Sequence, residues 1–335
     1  MAKKNSSASG IVLLAKRPGL TSFSSLNAVK KSLDTSKVGH TGTLDSFAQG
    51  LLVVCVGNMT RLASHITAFN KSYEAVIEFG SETDTLDPGG TVIKTAPLPD
   101  YEKLKEALKK FKGTIDQVPP EFSALHVDGQ RASDLVRKGK QVTLKARPVT
   151  VFDCEILEVK LEDEKVKYAR IRFDVSKGTY IRSLARDIAR ECESAAHLKG
   201  LLRTKVGCFE LQDAAGLDLL KDFTIENVIN GDTDIKDELS NDDENLFNQI
   251  KSKIKKLDFN IAENCGLVPA VIQKEYEAHF KNGRFLKPSY FNMDLLKSGF
   301  INGTKYAVFS ENSIFLGVML FDSEKFKYEY VISDN

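Results

Sequence analysis

A stretch of regular alternation does most to limit the folds available to this chain. From Ser72 to Phe79 apolar and polar side chains alternate, and one face of the pattern carries Tyr73, Ala75, Ile77 and Phe79. A period of two residues predicts a strand that buries one face. Strand patterns return at Val149–Leu161 and Val166–Val175. Because helical patterns are interspersed among the strands without strict alternation, we predict an α+β fold with a mixed or antiparallel sheet.

Three helical patterns accompany these strands. Thr21 or Ser22 can cap a helix whose apolar positions recur at helical spacing, at Phe23, Leu26, Val29 and Leu33. A second helix is predicted over Asp100–Phe111 and a third over Tyr180–Cys192. The third helix has one apolar stripe, and three arginines lie outside it: Arg182, Arg186 and Arg190. Two short apolar runs, Gly10–Ala15 and Leu51–Val56, are interpreted as buried strands.

Composition narrows the class of protein. Of 335 residues, 42% are hydrophobic and 28% are charged, so a well-filled core is expected and wholesale disorder is not. The formal net charge is only +1, so any nucleic-acid surface must come from local segregation of charge. The five cysteines lack a CxxC spacing, which favours reduced thiols in a cytoplasmic protein. No signal peptide and no membrane span of roughly 18–20 apolar residues is predicted.

Changes in composition divide the chain into four segments. Residues 1–9 are predicted to be a flexible tail, and residues 10–228 form the large domain that carries the chemistry. Residues 229–262 contain an acidic linker and then a basic helical stretch at Ile250–Leu257. Residues 263–335 show a short helix, a turn and paired strands, which predict a small, separate β-rich domain.

The densest chemical signal is the run GHTGTLD at Gly39–Asp45. Its two glycines allow the backbone to turn sharply. A lone carboxylate at the end of such a loop, ahead of a buried strand, is a candidate nucleophile. Spacing alone leaves the alternative open that Asp45 only caps a turn or a helix.

A second signal, SKGTYIR at Ser176–Arg182, lies where a strand ends and a helix begins. Arg182 falls in the first helical turn, where a cation opposes the helix dipole and needs a compensating partner. A carboxylate such as Asp45 would serve, and a neighbouring guanidinium favours the ionised form that a nucleophile requires. The alternative is a surface arginine in a solvated pair.

A third signal is Tyr73 in KSYEA, at the start of the alternating strand. Its ring can project into a cleft and stack on a base, or it can be an ordinary core tyrosine.

The five histidines show neither HxxxH nor HxH spacing, so no metal site is predicted. The sequence also contains no GxGxxG, GxxxxGK[ST] or GxSxG motif, so it gives no support for a dinucleotide-binding fold, a P-loop or an α/β hydrolase.

In this order, the motifs resemble the bacterial tRNA pseudouridine-55 synthase family, TruB. The resemblance is collinear from about Gly10 to Ala215 and rests on GHTGTLD, KSYEA, TDTLDPGG, VPPEFSALHVDGQRASDLVRKG, ARPVTV, SKGTYIRSLARD and AAHLKGLLRT. The chain departs from the family pattern at Ser46–Gly50, at Ala15–Arg17 and near Asp134, where a tyrosine is expected. None of these departures removes a residue with an assigned chemical role.

The resemblance implies a mixed, largely antiparallel sheet flanked by helices with a central RNA-binding cleft, plus a small C-terminal PUA-like β-barrel. It places the family's catalytic residues at Asp45, Tyr73, Tyr180 and Arg182. It places substrate contacts at His40, Asp84, Leu201, Lys16 and Arg147. The implied activity is isomerisation of uridine 55 in the T-loop of tRNA to pseudouridine, with no metal, no cofactor and no obligatory protein partner.

On this reading the target uridine is flipped out of the RNA stack. Tyr73 stacks on the flipped base, Leu201 supports its other face and His40 fills the gap in the RNA. Tyr73 is favoured over Tyr180 or water as acceptor of the C5 proton, and attack of Asp45 on the base or on the sugar stays open. Three alternatives are a catalytically silent RNA-binding or tRNA-folding protein, a guide-dependent synthase acting on ribosomal RNA, and a nucleoside hydrolase.

Affinity for RNA is expected from lysine and arginine contacts to phosphates. Near the N-terminus the candidates are Lys16, Arg17, Lys30, Lys31 and Lys37. In the central region they are Arg131, Arg137, Lys138, Lys140, Lys145 and Arg147.

Overall fold

The computed structural model describes residues 8–123, 125–127, 129–231, 244–296 and 299–332. Most of the predicted tail and the acidic part of the predicted linker lie outside these described residues. No helix in the described part of the chain is long and apolar enough to span a membrane.

The described strands in the first half of the chain are β1 Gly10–Lys16, β2 Val38–His40, β3 Gln49–Val56, β4 Lys71–Phe79, β5 Ser81–Thr83, β6 Val92–Thr95, β7 Gly113–Gln117, β8 His126–Val127 and β9 Gln130–Arg131. Those in the second half are β10 Arg147–Glu162, β11 Lys165–Val175, β12 Ala196–Val206, β13 Phe209–Glu210, β14 Val268–Val271, β15 Thr304–Phe309, β16 Phe315–Asp322 and β17 Lys325–Val331. The helices are α1 Ser22–Ser32, α2 Ala63–Thr67, α3 Tyr101–Phe111, α4 Ala132–Arg137, α5 Ile181–Glu191, α6 Ile225–Asn230, α7 Glu244–Lys253, α8 Phe259–Asn264 and α9 Glu277–Lys281.

One large sheet forms the centre of the molecule, with the strand order β1-β3-β12-β4-β11-β10-β7 and with β2 and β13 added at its sides. In the described residues β12 pairs with β3 in parallel, and the other pairs of this sheet are antiparallel. The predicted α+β fold with a mixed, largely antiparallel sheet is therefore confirmed.

Helices α3 and α5 cover one face of this sheet. Their apolar side chains, among them Leu104 and Leu184, join a buried cluster with residues of β4, β11 and β12. Helices α1 and α7 cover β1 and β3 through a separate cluster that includes Leu26 and Ile250. These two clusters hold the strands and helices from which the site loops extend. The candidate site lies among these loops, which include the segments before β3 and before α5.

Phe23 does not join the core, contrary to the helical pattern that included it. The helix begins at Ser22, and the Phe23 side chain is 68% exposed. The ammonium of Lys30, two turns further along the same helix, lies 4.8 Å from the centroid of its ring. Spacing along a helix predicts a face, but the neighbouring elements decide how far that face is covered.

The basic helical stretch predicted at Ile250–Leu257 is also corrected. Helix α7 starts earlier and ends at Lys253. Beyond it the backbone of Lys255 exchanges two hydrogen bonds of 2.8 Å with Ile11, which extends the pairing at β1. The chain therefore leaves the helix because its backbone groups bond to the sheet.

The C-terminal strands form a second sheet in the order β14-β15-β16-β17. It has an apolar cluster of its own that includes Tyr306 and Phe280. A second cluster crosses between the sheets, because Phe309 and Val318 pack in the same cluster as Leu13 of β1. The β-rich unit thus packs directly on the large sheet, and the boundary at residue 263 stays a prediction.

Candidate active site

The carboxylate of Asp45 and the guanidinium of Arg182 form a two-point ion pair. Nε of Arg182 lies 3.0 Å from Oδ2 of Asp45, and its Nη2 donates to Oδ1 at 3.2 Å. The Arg182 side chain is 7% exposed, whereas that of Asp45 is 35% exposed. The cation is therefore fixed inside the protein while part of the carboxylate faces solvent.

Arg182 is held from several other sides. Its Nη1 donates to the carbonyl of Thr85 at 3.0 Å, and its Nη2 donates to the carbonyl of Phe122 at 3.1 Å. The carboxylate of Asp87 lies 3.6 Å from Nη1. Two carboxylates and two carbonyls thus compensate a cation that would be unfavourable alone at the start of α5. Arg182 is not a solvated surface arginine, so that alternative is wrong.

Asp84 and Asp87 have different places in the TDTLDPGG run. Asp84 was predicted as a substrate contact, but its Oδ1 accepts a hydrogen bond of 2.8 Å from the backbone N–H of Thr91 in the β5–β6 hairpin. Asp87 is the carboxylate that approaches Arg182. Asp84 therefore stabilises the hairpin, and its contact with substrate stays a prediction because its side chain is exposed. Asp87 is a residue of the site that the sequence pattern did not single out.

The loop that precedes Asp45 is fastened by hydroxyl groups. Oγ of Ser22 accepts from the backbone N–H of Leu44 at 2.8 Å and donates to the carbonyl of Leu44 at 2.9 Å. Oγ1 of Thr67 donates to the carbonyl of Thr41 at 2.6 Å. Ser22 begins α1 and Thr67 ends α2, so two helices hold the loop from outside.

The segment that follows Asp45 is fastened by Lys16. Its ammonium donates to the carbonyls of Ala48 at 2.6 Å, Arg17 at 3.1 Å and Ser46 at 3.2 Å. Lys16 is 1% exposed, and this burial lowers the pKa of its ammonium to about 7. The predicted contact between Lys16 and RNA is corrected on this ground, because its three donors are directed at the backbone beneath the loop.

Tyr73 and Leu201 lie on neighbouring strands beside the loop. Tyr73 is on β4 and Leu201 on β12, where Leu201 pairs with Ala75. Both are buried in the apolar cluster that also contains Leu44, the residue before Asp45. The fold therefore brings an aromatic ring and an aliphatic side chain to the segment that ends in the carboxylate.

Tyr180 caps α5 and is positioned by its backbone. The side-chain amide of Gln117 accepts from the Tyr180 N–H at 2.8 Å and donates to the Tyr180 carbonyl at 3.1 Å. Gln117 pairs with Arg147 across β7 and β10, and Arg147 is exposed at this edge. Burial raises the pKa of the Tyr180 hydroxyl, so Tyr180 is neutral and can donate a hydrogen bond near pH 7.

His40 ends β2, next to the loop glycines. Burial, reinforced by the charge of Arg203, lowers the pKa of its imidazole. His40 is therefore neutral near pH 7, and its Nδ1 is buried without a hydrogen-bond partner among the described residues.

Arg203 is a further buried cation that the sequence reasoning missed, as it did Ser22, Thr67 and Gln117. It follows Leu201 by two positions in the LLRT run, and an arginine within an apolar strand is a signal that could have found it. The hydroxyl and amide residues carry no comparable signal.

Among the described residues, no group of three histidine, cysteine or carboxylate side chains is arranged to hold a metal ion.

Comparison with known proteins identifies relatives of the whole chain. Residues 30–181 match a family model described as TruB family pseudouridylate synthase, N-terminal domain. A protein of Treponema denticola named tRNA pseudouridine synthase B is 42% identical over 351 aligned residues, which cover 97% of this chain and 98% of the relative. A protein of the same name from Borreliella burgdorferi is 45% identical over 206 residues, covering 61% of this chain and 72% of the relative.

Solved structures share the fold. An H/ACA RNP bound to a substrate RNA containing 2'-deoxyuridine contains a chain that matches with a TM-score of 0.63 and 20% identity, covering 97% of this chain and 85% of that chain. A Cbf5-Nop10-Gar1 complex matches with a TM-score of 0.61 and 22% identity, covering 96% and 84%.

Proposed function

This chain belongs to the TruB family of pseudouridylate synthases, and we propose that it isomerises a uridine of tRNA to pseudouridine with Asp45 as nucleophile. The proposed target is uridine 55 in the T-loop. The observation that carries the assignment of Asp45 is the ion pair in which a buried guanidinium holds a carboxylate that remains partly exposed. A fixed, charged and reachable carboxylate is what nucleophilic or electrostatic catalysis requires.

The reaction rearranges bonds without net gain or loss of atoms. The bond between N1 of the base and C1′ of the ribose breaks, the base turns, and C5 bonds to C1′. The proton on C5 leaves and N1 ends with a proton, so uridine and pseudouridine are isomers. The Asp45 carboxylate can assist this sequence by adding to C1′ or to C6 of the base, and both routes require a fixed carboxylate that the nucleotide can reach.

A uridine in a folded tRNA loop must leave its stack before the carboxylate can reach it, which costs about a few kcal/mol. The Tyr73 ring would stack on one face of the flipped base and Leu201 would support the other. Both side chains belong to the apolar cluster that contains Leu44, the neighbour of Asp45, and this nearness to the carboxylate supports the arrangement. His40 is neutral and half-buried beside the loop, so it can fill the gap in the RNA without introducing a charge.

Proton removal from C5 is assigned to Tyr73. The hydroxyl of Tyr180 is the alternative acceptor, but burial raises its pKa, so less of it is in the deprotonated form that can accept a proton near pH 7. Tyr180 is instead suited to donate a hydrogen bond to the substrate. Arg182 keeps the carboxylate in place through each step.

Phosphate contacts are proposed for the segment around α4 and the start of β10. The exposed cations there are Arg131, Arg137, Lys138, Lys140, Lys145 and Arg147. Their number gives this part of the surface a local positive charge even though the whole chain is nearly neutral.

We propose that the enzyme acts without an obligatory protein partner. The Treponema denticola relative, which matches 97% of this chain, is named as an enzyme, whereas the H/ACA structures share the fold at only 20–22% identity. A cytoplasmic location stays a prediction.

Chemical mapping of the product tests the function. Unmodified tRNA transcript is incubated with the wild-type protein, and pseudouridine is located by chemical labelling and primer extension. We expect one labelled position, uridine 55. Asp45→Asn should lower turnover by at least about a thousandfold while tRNA affinity changes little.

Asp116→Asn is the matched control, because Asp116 is an exposed aspartate on β7. It should keep wild-type turnover. Turnover by Asp45→Asn close to the wild-type rate would contradict the role of Asp45. Labelling of another nucleotide by the wild-type protein would contradict the assigned target.

A further inference from the structure

We propose that Arg203 is a positioning residue for the reaction, which fixes the Asp45 loop relative to the strand that carries Leu201. The proposal rests on the proposed function, because it assigns Arg203 to the same site. Arg203 lies on β12, two residues after Leu201, and is 2% exposed. It is almost fully buried and donates to backbone carbonyls of the loop, whereas the arginine paired with Asp45 is Arg182, so Arg203 acts through the loop backbone.

The guanidinium of Arg203 binds three backbone carbonyls on either side of Asp45. Nε donates to Leu51 at 2.7 Å, Nη1 to Thr43 at 3.3 Å and Nη2 to Gly42 at 3.3 Å. Leu51 belongs to β3, which follows the loop, whereas the other two carbonyls precede Asp45. One planar group therefore ties the entry of the loop to its exit, and the carboxylate is placed between.

The charge of Arg203 has no ion-pair partner in the part of the chain that the structure describes. Burying a cation without a carboxylate is unfavourable by several kcal/mol, and the carbonyl contacts offset only part of that. An apolar side chain of similar volume would avoid the cost of burying a charge but would leave the three carbonyls without their donor. The role of Arg203 that fits this arrangement is to fix the loop geometry, since the rigid guanidinium holds three carbonyls in place at once.

The backbone of Arg203 is also packed closely against the two neighbouring strands. Arg203 pairs with Tyr73 on one side and with Gly50 on the other. A Cβ at Gly50 would lie 2.4 Å from the Arg203 carbonyl oxygen and 2.7 Å from its nitrogen, so β3 and β12 approach as closely as glycine permits. Gly50 also has a φ of +109°, which suits glycine.

Arg203 consequently links the three parts that the reaction must bring together. Its backbone fixes β12, with Leu201, against β4, with Tyr73. Its side chain fixes the segment that ends in Asp45. Loss of the guanidinium should allow the loop to shift by about an ångström, and a displacement of that size can slow catalysis about a hundredfold.

Single-turnover kinetics at saturating tRNA, with tRNA affinity and melting temperature, test the proposal. Arg203→Met should slow conversion about a hundredfold with tRNA affinity within about threefold of wild type. Arg203→Lys should recover part of the rate, because the ammonium keeps the charge but lacks the rigid planar fork whose three nitrogens bond to the three carbonyls.

Arg170→Met is the matched control. Arg170 is a partly buried arginine on β11 that donates to the carbonyl of Phe223 at 2.9 Å and pairs with Glu74, so it loses comparable contacts away from the loop. It should keep the wild-type rate even where it melts earlier.

A wild-type rate in Arg203→Met, or in Arg203→Lys if the methionine variant does not fold, would overturn the proposal. An equal fall in Arg170→Met would overturn it as well, because general destabilisation would then explain both. Absence of conversion by the wild-type protein would instead overturn the proposed function, so the two failures are distinguishable.

Discussion

Arg182 and Asp45 are 137 positions apart in the chain, and their side chains meet at 3.0 and 3.2 Å. The pair joins the start of α5 to the end of the loop at residues 41–44, which follows β2. Only the carboxylate has appreciable exposure. The two residues therefore have different roles: the buried Arg182 fixes the geometry, and the partly exposed Asp45 is accessible to a substrate.

Arg182→Lys should slow single-turnover conversion at least about a hundredfold while tRNA affinity is retained. Lysine keeps the positive charge but lacks the planar fork that binds Asp45, Thr85 and Phe122 together. Arg186→Lys is the control, because Arg186 on the same helix pairs with Asp187 outside the site. Conversion by Arg182→Lys at the wild-type rate would show that the charge alone suffices.

Tyr73→Phe should bind tRNA as tightly as wild type yet convert it about a hundredfold to ten-thousandfold more slowly, because the ring remains and the proton acceptor is lost. Tyr180→Phe should have a smaller effect on the rate. The measurement is single-turnover conversion alongside equilibrium binding of both variants. If Tyr180→Phe proves the slower enzyme, the proton acceptor has been assigned to the wrong tyrosine.

Lys16 should make folding stability depend on pH. Its pKa is about 7 in the folded protein against an ordinary value of 10.5, so the unfolded chain binds the extra proton between those values. The free energy of unfolding should therefore rise with pH across this window, by about 2 kcal/mol between pH 7 and pH 9.

Denaturant unfolding of wild type and Lys16→Met at both pH values isolates this contribution. The variant should be less stable at pH 9, because Ala48 and Ser46 lose their donor, and its pH dependence should be flatter. Parallel pH profiles for the two proteins would show that Lys16 is charged equally in the folded and unfolded states.

The salt dependence of tRNA binding should report the exposed cations near α4. Replacing Lys138 and Lys140 by glutamine should weaken binding and reduce the slope of log K against log salt by about one to two. Lys109→Gln is the control, since Lys109 on α3 is paired with Glu106. Equal slopes for wild type and the double variant would place the phosphates elsewhere on the surface.

Local sequence patterns predicted much of the fold. The strands β1, β4, β10 and β11 and the helices α3 and α5 have ends within two residues of their predicted ends. No strand was predicted at β12, whose AAHLKGLLRT run entered only through the family resemblance. His197, Lys199 and Arg203 interrupt its apolar pattern although it lies inside the sheet. Periodicity predicts an element where one face is apolar, and it fails where buried cations bond to the backbone or to carboxylates.

The sequence by itself determined the local units: the glycine loop that ends in Asp45, the strand that begins near Tyr73 and the junction that carries Arg182. Tertiary structure alone decided that Asp87 rather than Asp84 reaches Arg182, that Lys16 lies beneath the loop and that Arg203 ties the loop to β12. These contacts join residues whose separation along the chain exceeds any helical or strand period. Their partners are set by the order of strands in the sheet, and many are backbone carbonyls, which every residue carries and no side-chain pattern reveals.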